Sequence, residues 1–407
     1  MEPSPTFDLG RFNPASPELR ANPYPIYHLL RQAMPVCPTP VGAWLVSRYA
    51  DGESILADKR FATIDLNRLG QAGQLPETPS LAAARAAMGR TMLFMDPPRH
   101  GRIRSLVSKA FSPRMVESLR PRIRQIAEDL LNTLEEENEA DLIRDFAYPL
   151  PVIVIAEMLG VPPEDRALFR RWTIDLARLI DFVQSTEAVD RAMKAMEETA
   201  EYLHTLAWER RQNPQDDLLS ALIAAEERGD RLTEDEMLAN VVLLLGAGHE
   251  TTANLIGNGM LALMKHRDQM ERLRREPHLL PGAIEECLRY DSPVQATGRR
   301  ALENVAIAGI EIPRDSHVII LIGACNRDPD RFPDPDRFDI TRDRNEHLAF
   351  GGGIHYCLGA NLARAEAQIA VDSLAHRFPK LDLACDAIEY RDMFNLRGLK
   401  ALPVRLA

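Results

Sequence analysis

The chain has 407 residues, of which 45% are hydrophobic and 6% aromatic, and a net charge of −11. This length and apolar content allow a sizeable core, and no repeat, low-complexity tract or Ser/Gly-rich linker divides the chain, so a single unit over 1–407 is expected, with 1–20 a loosely ordered N-terminal segment. The acidic balance argues against nucleic acid as a general partner, and an acidic, proline-rich N-terminus lacks the basic and apolar regions of a signal peptide.

In chain order, prolines crowd residues 3–40 and leave room for a short helix over 26–32, followed by a strand near 44–46. The stretch 63–91, rich in Gly, Pro and Ala, reads as a long functional loop with at most short helices. Helical periodicity then predicts helices over 97–110, 113–134, 147–159, 163–181, 186–211, 216–227 and 233–265. Thr233 and Glu236 have the spacing of a capping box. The apolar run 237–264 is interrupted by His249, Glu250, Thr251 and Thr252, which reads as a buried helix and not a membrane anchor. A helix over 281–290 precedes β-branched alternation at 305–312 and 317–322. Residues 326–338, with prolines at 329, 333 and 335, must meander. Residues 397–404 are expected to add a terminal hairpin to a sheet. The chain is therefore mainly α, with a small β-rich region.

Charge is uneven along this order. Between Asp96 and Arg124 eight basic residues (Arg99, Arg102, Arg104, Lys109, Arg114, Arg120, Arg122, Arg124) face two acids (Asp96, Glu117), a local balance of +6, whereas 128–141 holds seven acids and no base. Solvated helix faces account for such runs as well as a docking patch does. Five cysteines without a CxxC pair suit a reducing cytosol and a cytoplasmic location.

The most informative run is Phe350-Gly-Gly-Gly-Ile-His-Tyr-Cys357-Leu-Gly-Ala, followed by Asn-Leu-Ala-Arg364-Ala-Glu366. Leu358, Leu362, Ala365, Ile369 and Leu374 recur at helical spacing, which places Cys357 at a helix N-terminus, where the dipole and unpaired N–H groups favour an anionic sulfur. Gly351, Gly353 and Gly359 let the backbone approach something flat and large. A lone cysteine in a turn is ordinarily an inert small hydrophobe; structural zinc needs four protein ligands, which Cys37, Cys287, Cys325 and Cys385 do not supply as pairs. A second unusual stretch is Leu245-Gly-Ala-Gly-His-Glu-Thr-Thr252, where glycines, an acid and hydroxyls occupy a helix interior. Ala247 and Gly248 share a face with Thr251, whose hydroxyl can bond back to a carbonyl one turn earlier. His249, two residues from Thr251, should point away from that face.

The pattern F-G-x-G-x-H-x-C-x-G-x-x-L-A-R resembles that of the cytochrome P450 family, the haem-thiolate monooxygenases, and the likeness extends from about Pro23 to the C-terminus. It implies a triangular helical fold with a long helix over the distal haem face. It also implies haem b with Cys357 as axial iron ligand, and Phe350, Gly351 and Gly359 against the macrocycle. Ala247, Gly248, Glu250 and Thr251 match the oxygen-activation motif, with Glu250 and Thr251 as proton-delivering residues. Glu286 and Arg289 match E-x-x-R, and Arg337 the arginine that completes its buried network. His100, Arg104, Arg299 and His355 correspond to partners of the haem propionates. Leu93, Phe182, Leu243, Leu244, Ala247, Val294, Ala296 and Phe394 correspond to the variable substrate pocket, nearly all apolar.

The implied activity is insertion of one atom of O2 into an apolar or amphipathic small molecule, with electrons from a separate ferredoxin-type chain. Arg102, Lys109 and Arg114 are the expected docking patch for an acidic ferredoxin. A haem-thiolate peroxygenase or isomerase, and a haem-based sensor or carrier, are the competing readings. The chain departs from the pattern at Arg99 and Gly101, where relatives often carry an acid and a threonine, and at Gly246, where a branched residue is common.

Overall fold

The longest element is the helix Glu234–Lys265, begun by a complete capping box: Thr233 accepts from the Glu236 N–H, and Glu236 accepts from that of Thr233. Three acids in its first turn complement the helix dipole. It is buried on nearly all sides, as a helix apolar around its whole circumference must be. Around it pack the helices Pro149–Met158, Arg166–Leu176, Thr186–Gln212, Leu280–Tyr290 and Ala360–Arg377. The structure, a computed structural model, describes residues 8–66, 77–135, 137–181, 185–227 and 233–406. No helix among the described residues is long and apolar enough to cross a membrane.

The strands are β1 (Val36–Pro38), β2 (Ala43–Val46), β3 (Phe61–Ala62), β4 (Glu139–Asp141), β5 (Thr297–Ala301), β6 (Val305–Ile307), β7 (Ile310–Ile312), β8 (His317–Ile320), β9 (Asp382–Leu383) and β10 (Pro403–Arg405). The main sheet has the order β1-β2-β8-β5-β3, with β2 and β8 parallel. A second sheet runs β4-β10-β9, and β6 and β7 form a hairpin. The expected terminal hairpin is thus a single strand, β10, paired on both sides with distant segments.

Several elements differ from expectation for identifiable reasons. The stretch 63–91 contains a ten-residue helix, Pro79–Met88, capped by Thr78 and burying Leu81, Ala84 and Met88; its alanines are strong helix formers and Pro79 occupies the tolerated first turn. In the expected N-terminal segment two residues at its end make contacts with the body of the fold. Leu19 is buried beside Tyr27 and Phe394, and Arg20 pairs with Asp392 at 2.9 Å. β5 is an internal strand of the main sheet, paired with β8 on one side and β3 on the other, although its sequence, Thr-Gly-Arg-Arg-Ala, carries no apolar alternation.

The meander 326–347 is held by one buried ion pair. Arg289 donates to both carboxylate oxygens of Glu286 (2.7 and 2.8 Å), and neither side chain is exposed. Arg289 also donates to the carbonyls of Asn326, Pro335 and Arg337. Glu286 in turn accepts from the Asp339 N–H (2.9 Å) and the Asn345 amide (3.0 Å). The expected third member is corrected here: the Arg337 side chain is 66% exposed and reaches only Asp339, at 3.7 Å. Arg342 takes the place instead, 3.4 Å from Glu286 and largely buried, while donating to the Pro333 carbonyl at 2.8 Å. The reason lies in the path of the meander, which brings residue 337 to Arg289 through its carbonyl and turns its side chain outward.

Breaking this pair leaves an uncompensated buried charge, so Glu286→Ala should cost about 3–5 kcal/mol in chemical denaturation. Arg342→Ala should cost about 1–3 kcal/mol and Arg337→Ala no more than about 0.5 kcal/mol; equal losses for the two arginines would contradict the assignment.

Candidate active site

Cys357 lies two residues before Gly359, the N-cap of the helix Ala360–Arg377. Its N–H donates to the Phe350 carbonyl (2.9 Å) and that of Gly351 to the Leu348 carbonyl (2.8 Å), so the loop closes on itself. Gly351 and Gly353 adopt φ of 69° and 63°, the left-handed region that favours glycine. A Cβ on Gly353 would also collide with the Leu56 carbonyl. The loop is tied to the meander by Leu348 N–H donating to Asn326 Oδ1 (2.7 Å).

A second ionic tie, absent from the expectations above, holds the other side of the loop. Arg364 donates to both oxygens of Glu285 (2.7 and 2.8 Å), and His347 Nε2 stands 3.2 Å from the same carboxylate. Burial opposes the Glu285 charge, yet the bonds from Arg364 and His347 pull its pKa down to about 2. The Arg364 guanidinium lies 4.5 Å over the centre of the Phe350 ring and donates to the Tyr356 hydroxyl (3.2 Å). The loop sequence signals this only through Arg364; Glu285 and His347 have no recognisable spacing.

Cys357 lines a cavity of about 340 Å³ whose walls also include Thr251, Ala247 and Gly248 from the long helix. The accessible surface of Cys357 opens into this cavity, and burial pushes the free thiol's pKa up, against the Gly359 N–H and the charges of Arg104 and Arg364. The helix terminus alone therefore does not ionise the sulfur. A metal ion bonded to it would supply the missing compensation.

His100, Arg104, Arg299 and His355 meet at one edge of the cavity. The His100 and His355 rings are 4.3 Å apart, and the Nε2 atom of each is buried without a hydrogen-bond partner. Burial first, then Arg299, His100 and Arg104, lower the His355 pKa to about 3. Burial lowers Arg299 to about 10. Four mutually repelling basic groups around orphaned nitrogens are a poor arrangement for an isolated protein and fit an anionic ligand, as the two carboxylates of haem would be.

On the long helix, the Thr251 hydroxyl donates to the Ala247 carbonyl (3.0 Å) and the Thr252 hydroxyl to that of Gly248 (3.2 Å); the helix stays continuous. A Cβ on Gly248 would meet nothing within 4 Å, so that face opens onto free space. His249 is fully buried, edge-on to Tyr148 at 4.8 Å, and is not in the cavity wall. Glu250 is not there either: it is buried on another side of the helix, 3.0 Å from Arg391 and 3.6 Å from His249. The acids that do line the cavity are Asp181, which accepts from the Phe394 and Asn395 N–H groups, and Glu366; it is Glu366 that stands beside Thr252. Burial raises its pKa to about 8, against a hydrogen bond from Thr252. Its position at the end of the cysteine motif was the available signal.

Leu93, Leu243, Leu244, Ala247, Val294 and Ala296 line the cavity. Phe182 falls outside the described residues. Phe394 is corrected: its ring packs edge-on against Phe12, at 5.9 Å, among Leu19 and Tyr27, and its neighbours Asn395 and Leu396 line the cavity instead. The expected docking cluster is also reduced. Arg102 donates to both oxygens of Glu236 (3.0 and 2.7 Å), Arg104 donates to the Tyr356 carbonyl, and Arg120, Arg122 and Arg124 face Glu117, Glu157 and Asp372. Lys109 and Arg114 are exposed.

Residues 166–383 match the family model of the cytochromes P450. Cytochrome P450 107B1 of Saccharopolyspora erythraea is 50% identical over 371 residues, 89% of each chain. Cytochrome P450 monooxygenase PikC of Streptomyces venezuelae is 44% identical over 98% of this chain and 94% of its own. Among solved structures, P450BioI in complex with a hexadec-9Z-enoic acid-ligated acyl carrier protein superposes with a TM-score of 0.90 at 41% identity, covering 96% of this chain and all of that one. With its cysteine loop, cationic cavity edge and long overlying helix, the chain belongs to the cytochrome P450 family of haem-thiolate monooxygenases.

Proposed function

We propose that this protein inserts one atom of O2 into an apolar or amphipathic small molecule, using haem b held by Cys357 and electrons from a separate acidic ferredoxin. The observation that carries the proposal is that Cys357, from the glycine loop, and Thr251, from the long helix, line the same largely apolar cavity beside four convergent basic groups. Arg104, Arg299, His100 and His355 would hold the propionates, and Phe350, Gly351 and Gly359 the macrocycle. When bound, the haem supplies the iron that activates dioxygen, with electron donation from the thiolate assisting cleavage of the O–O bond.

The protein's own part is binding, dryness and proton supply. Leu243, Leu244, Val294 and Ala296 exclude water and orient an apolar substrate. The Thr251 hydroxyl, bonded at rest to the Ala247 carbonyl, turns its proton toward the cavity when that bond is released. Glu250, directly behind it in the chain, resupplies that hydroxyl once its carboxylate has left Arg391 and taken up a proton from solvent. Glu366 is the second acid within reach and keeps its proton at neutral pH. Electrons arrive on the face where the helix Pro113–Asn132 lies along the cysteine helix, tied to it by Arg120 donating to Gln368 (2.9 Å). There Lys109 and Arg114 supply the positive charge, beside exposed Met115, Ile354 and Tyr356.

Thr251→Ala should lower product formed per electron pair by about 10²-fold, the low end of the 10²–10⁴ typical of a lost proton donor, while oxidation of the electron donor continues; unchanged coupling would remove Thr251 from this role. Because the folded state holds the Glu366 proton up to about pH 8 and the unfolded chain releases it near 4.5, the native state binds the extra proton between these values and loses stability as pH rises through them. Glu366→Gln removes that decline, so melting temperatures should show the variant gaining on wild type from pH 5 to pH 8 and levelling above; a constant difference would contradict the neutral acid. Reversing both charges, Lys109→Glu with Arg114→Glu, should slow reduction by an acidic ferredoxin and flatten its dependence on ionic strength. Stopped-flow rates that ignore both salt and the reversals would sink the docking site.

A further inference from the structure

The main cavity, about 340 Å³, has Cys357 and Thr251 in its walls, so haem and substrate must share it. That volume is near the lower end of what one small ligand fills, which leaves little room for a substrate of any length. Beside it lies a second chamber of about 190 Å³. The two have Phe94, Leu179, Ile180, Leu243 and Ala247 in common, so a single layer of side chains separates them. The remaining wall of the second chamber is mostly apolar, with Met88, Leu176, Met196, Leu238 and Val242. Its one charged edge is the Arg90–Asp235 pair, 3.3 Å apart, whose side chains are 54% and 68% exposed; this marks the end that reaches water.

Gly246 also lines this chamber. Glycine within a helix is destabilising and needs a reason. At Gly257 the reason is packing, since a Cβ would run into Ile143. At Gly246 a Cβ would meet only the Leu176 Cβ, at the ordinary distance of 3.4 Å. Neither packing nor backbone conformation demands glycine there; what its absent side chain provides is the space itself.

We propose that the second chamber is a subsite for the body of an elongated amphipathic substrate, with Gly246 as the residue that keeps it open. The reacting end lies beside Thr251, the chain passes between Leu243 and Ala247 on one side and Leu179 and Ile180 on the other, and the polar head emerges beside Arg90 and Asp235. The assignment rests on the haem-thiolate reading above and narrows its substrate class to long, flexible, largely apolar molecules.

The test uses the haem-loaded protein and straight-chain carboxylic acids of increasing length that carry an imidazole at the far end, with imidazole alone as the shortest probe. Imidazole anchors on the iron and shifts the haem absorption band, so affinity reports where the tail goes; calorimetry gives a second measure. In the wild type affinity should keep rising by about fourfold per added methylene, the gain expected for a buried CH₂. Gly246→Leu, and Ala239→Leu two turns earlier in the same wall, should bind imidazole and short members unchanged but lose the long members by at least tenfold. A wild-type affinity that stops rising after the short members, or filled variants that bind long members as tightly as wild type, would overturn the subsite. Failure of imidazole itself to shift the band would instead overturn the haem reading on which the subsite depends.

Discussion

Glu286 and Arg289 have no contact with solvent, and a buried ion pair is tolerable only when its spare lone pairs and N–H groups find partners. Here those partners are backbone groups of a segment with little regular structure: carbonyls of Asn326, Pro335 and Arg337 for the guanidinium, the Asp339 N–H for the carboxylate. The pair therefore does for the meander what a sheet ladder does for a strand. Asn326 extends the arrangement, accepting from Leu348 N–H and donating to the Ser292 hydroxyl at 2.7 Å, so the glycine loop inherits its position from a helix far away in sequence. Glu285, its neighbour in the same helix and about 100° around it, grips Arg364 and His347. Two adjacent acids thus clamp the cysteine loop from its two sides.

The cavity beyond that loop is electrically lopsided. Basic groups collect at one edge, where burial depresses the pKa values of His355, Arg299 and His100, and repulsion from neighbouring basic groups adds to the effect at the two histidines. Such a cluster stores unfavourable electrostatic energy that an anionic ligand would relieve. The thiol tells the same story with the opposite sign: burial disfavours its charge until a cation is bonded to it. Neither site is comfortable alone, and a single ligand that carries a metal centre and two carboxylates satisfies both.

How much of this could be read from the sequence depended on how local each signal is. The cysteine loop was legible because its glycines answer backbone needs within the loop, whereas Glu286 and Arg289 were legible only through the resemblance to E-x-x-R, since opposite charges three residues apart on a helix read by themselves as a surface pair. The long helix announced itself through its capping box and apolar length. Arg342 was not legible: only the path of an aperiodic chain decides whether residue 337 or 342 turns inward. Phe394 failed for a related reason: it lies at a bend in an aperiodic segment whose path decides which residues reach the cavity, and Asn395 and Leu396 are the ones that do. β5 has no alternation because its neighbours, β8 and β3, and not its own composition, determine its place. The helix Pro79–Met88 was hidden by a composition that reads as loop when its prolines and glycines are averaged in.

The two acids near Thr251 show why sequence proximity and chemical proximity have to be separated. Glu250 is adjacent in the chain, but a helix turns successive side chains by about 100°, and its carboxylate ends beside Arg391 and His249, in a buried polar group with Tyr148. Glu366 comes from another helix, 115 residues away, yet stands at the cavity wall beside Thr252. An acid held by a guanidinium must break an ion pair before it can approach the hydroxyls, whereas an acid kept neutral by burial already carries the proton to be given. In a cavity dry enough to protect its chemistry from water, a reserve of that second kind is useful because the proton is already in place when it is needed and is replaced from solvent between turnovers. The helix that carries Thr251 meets these needs with small residues on one face and polar ones on another, at the cost of helix propensity at Gly246 and Gly248. Its burial on nearly every side is what makes that cost bearable.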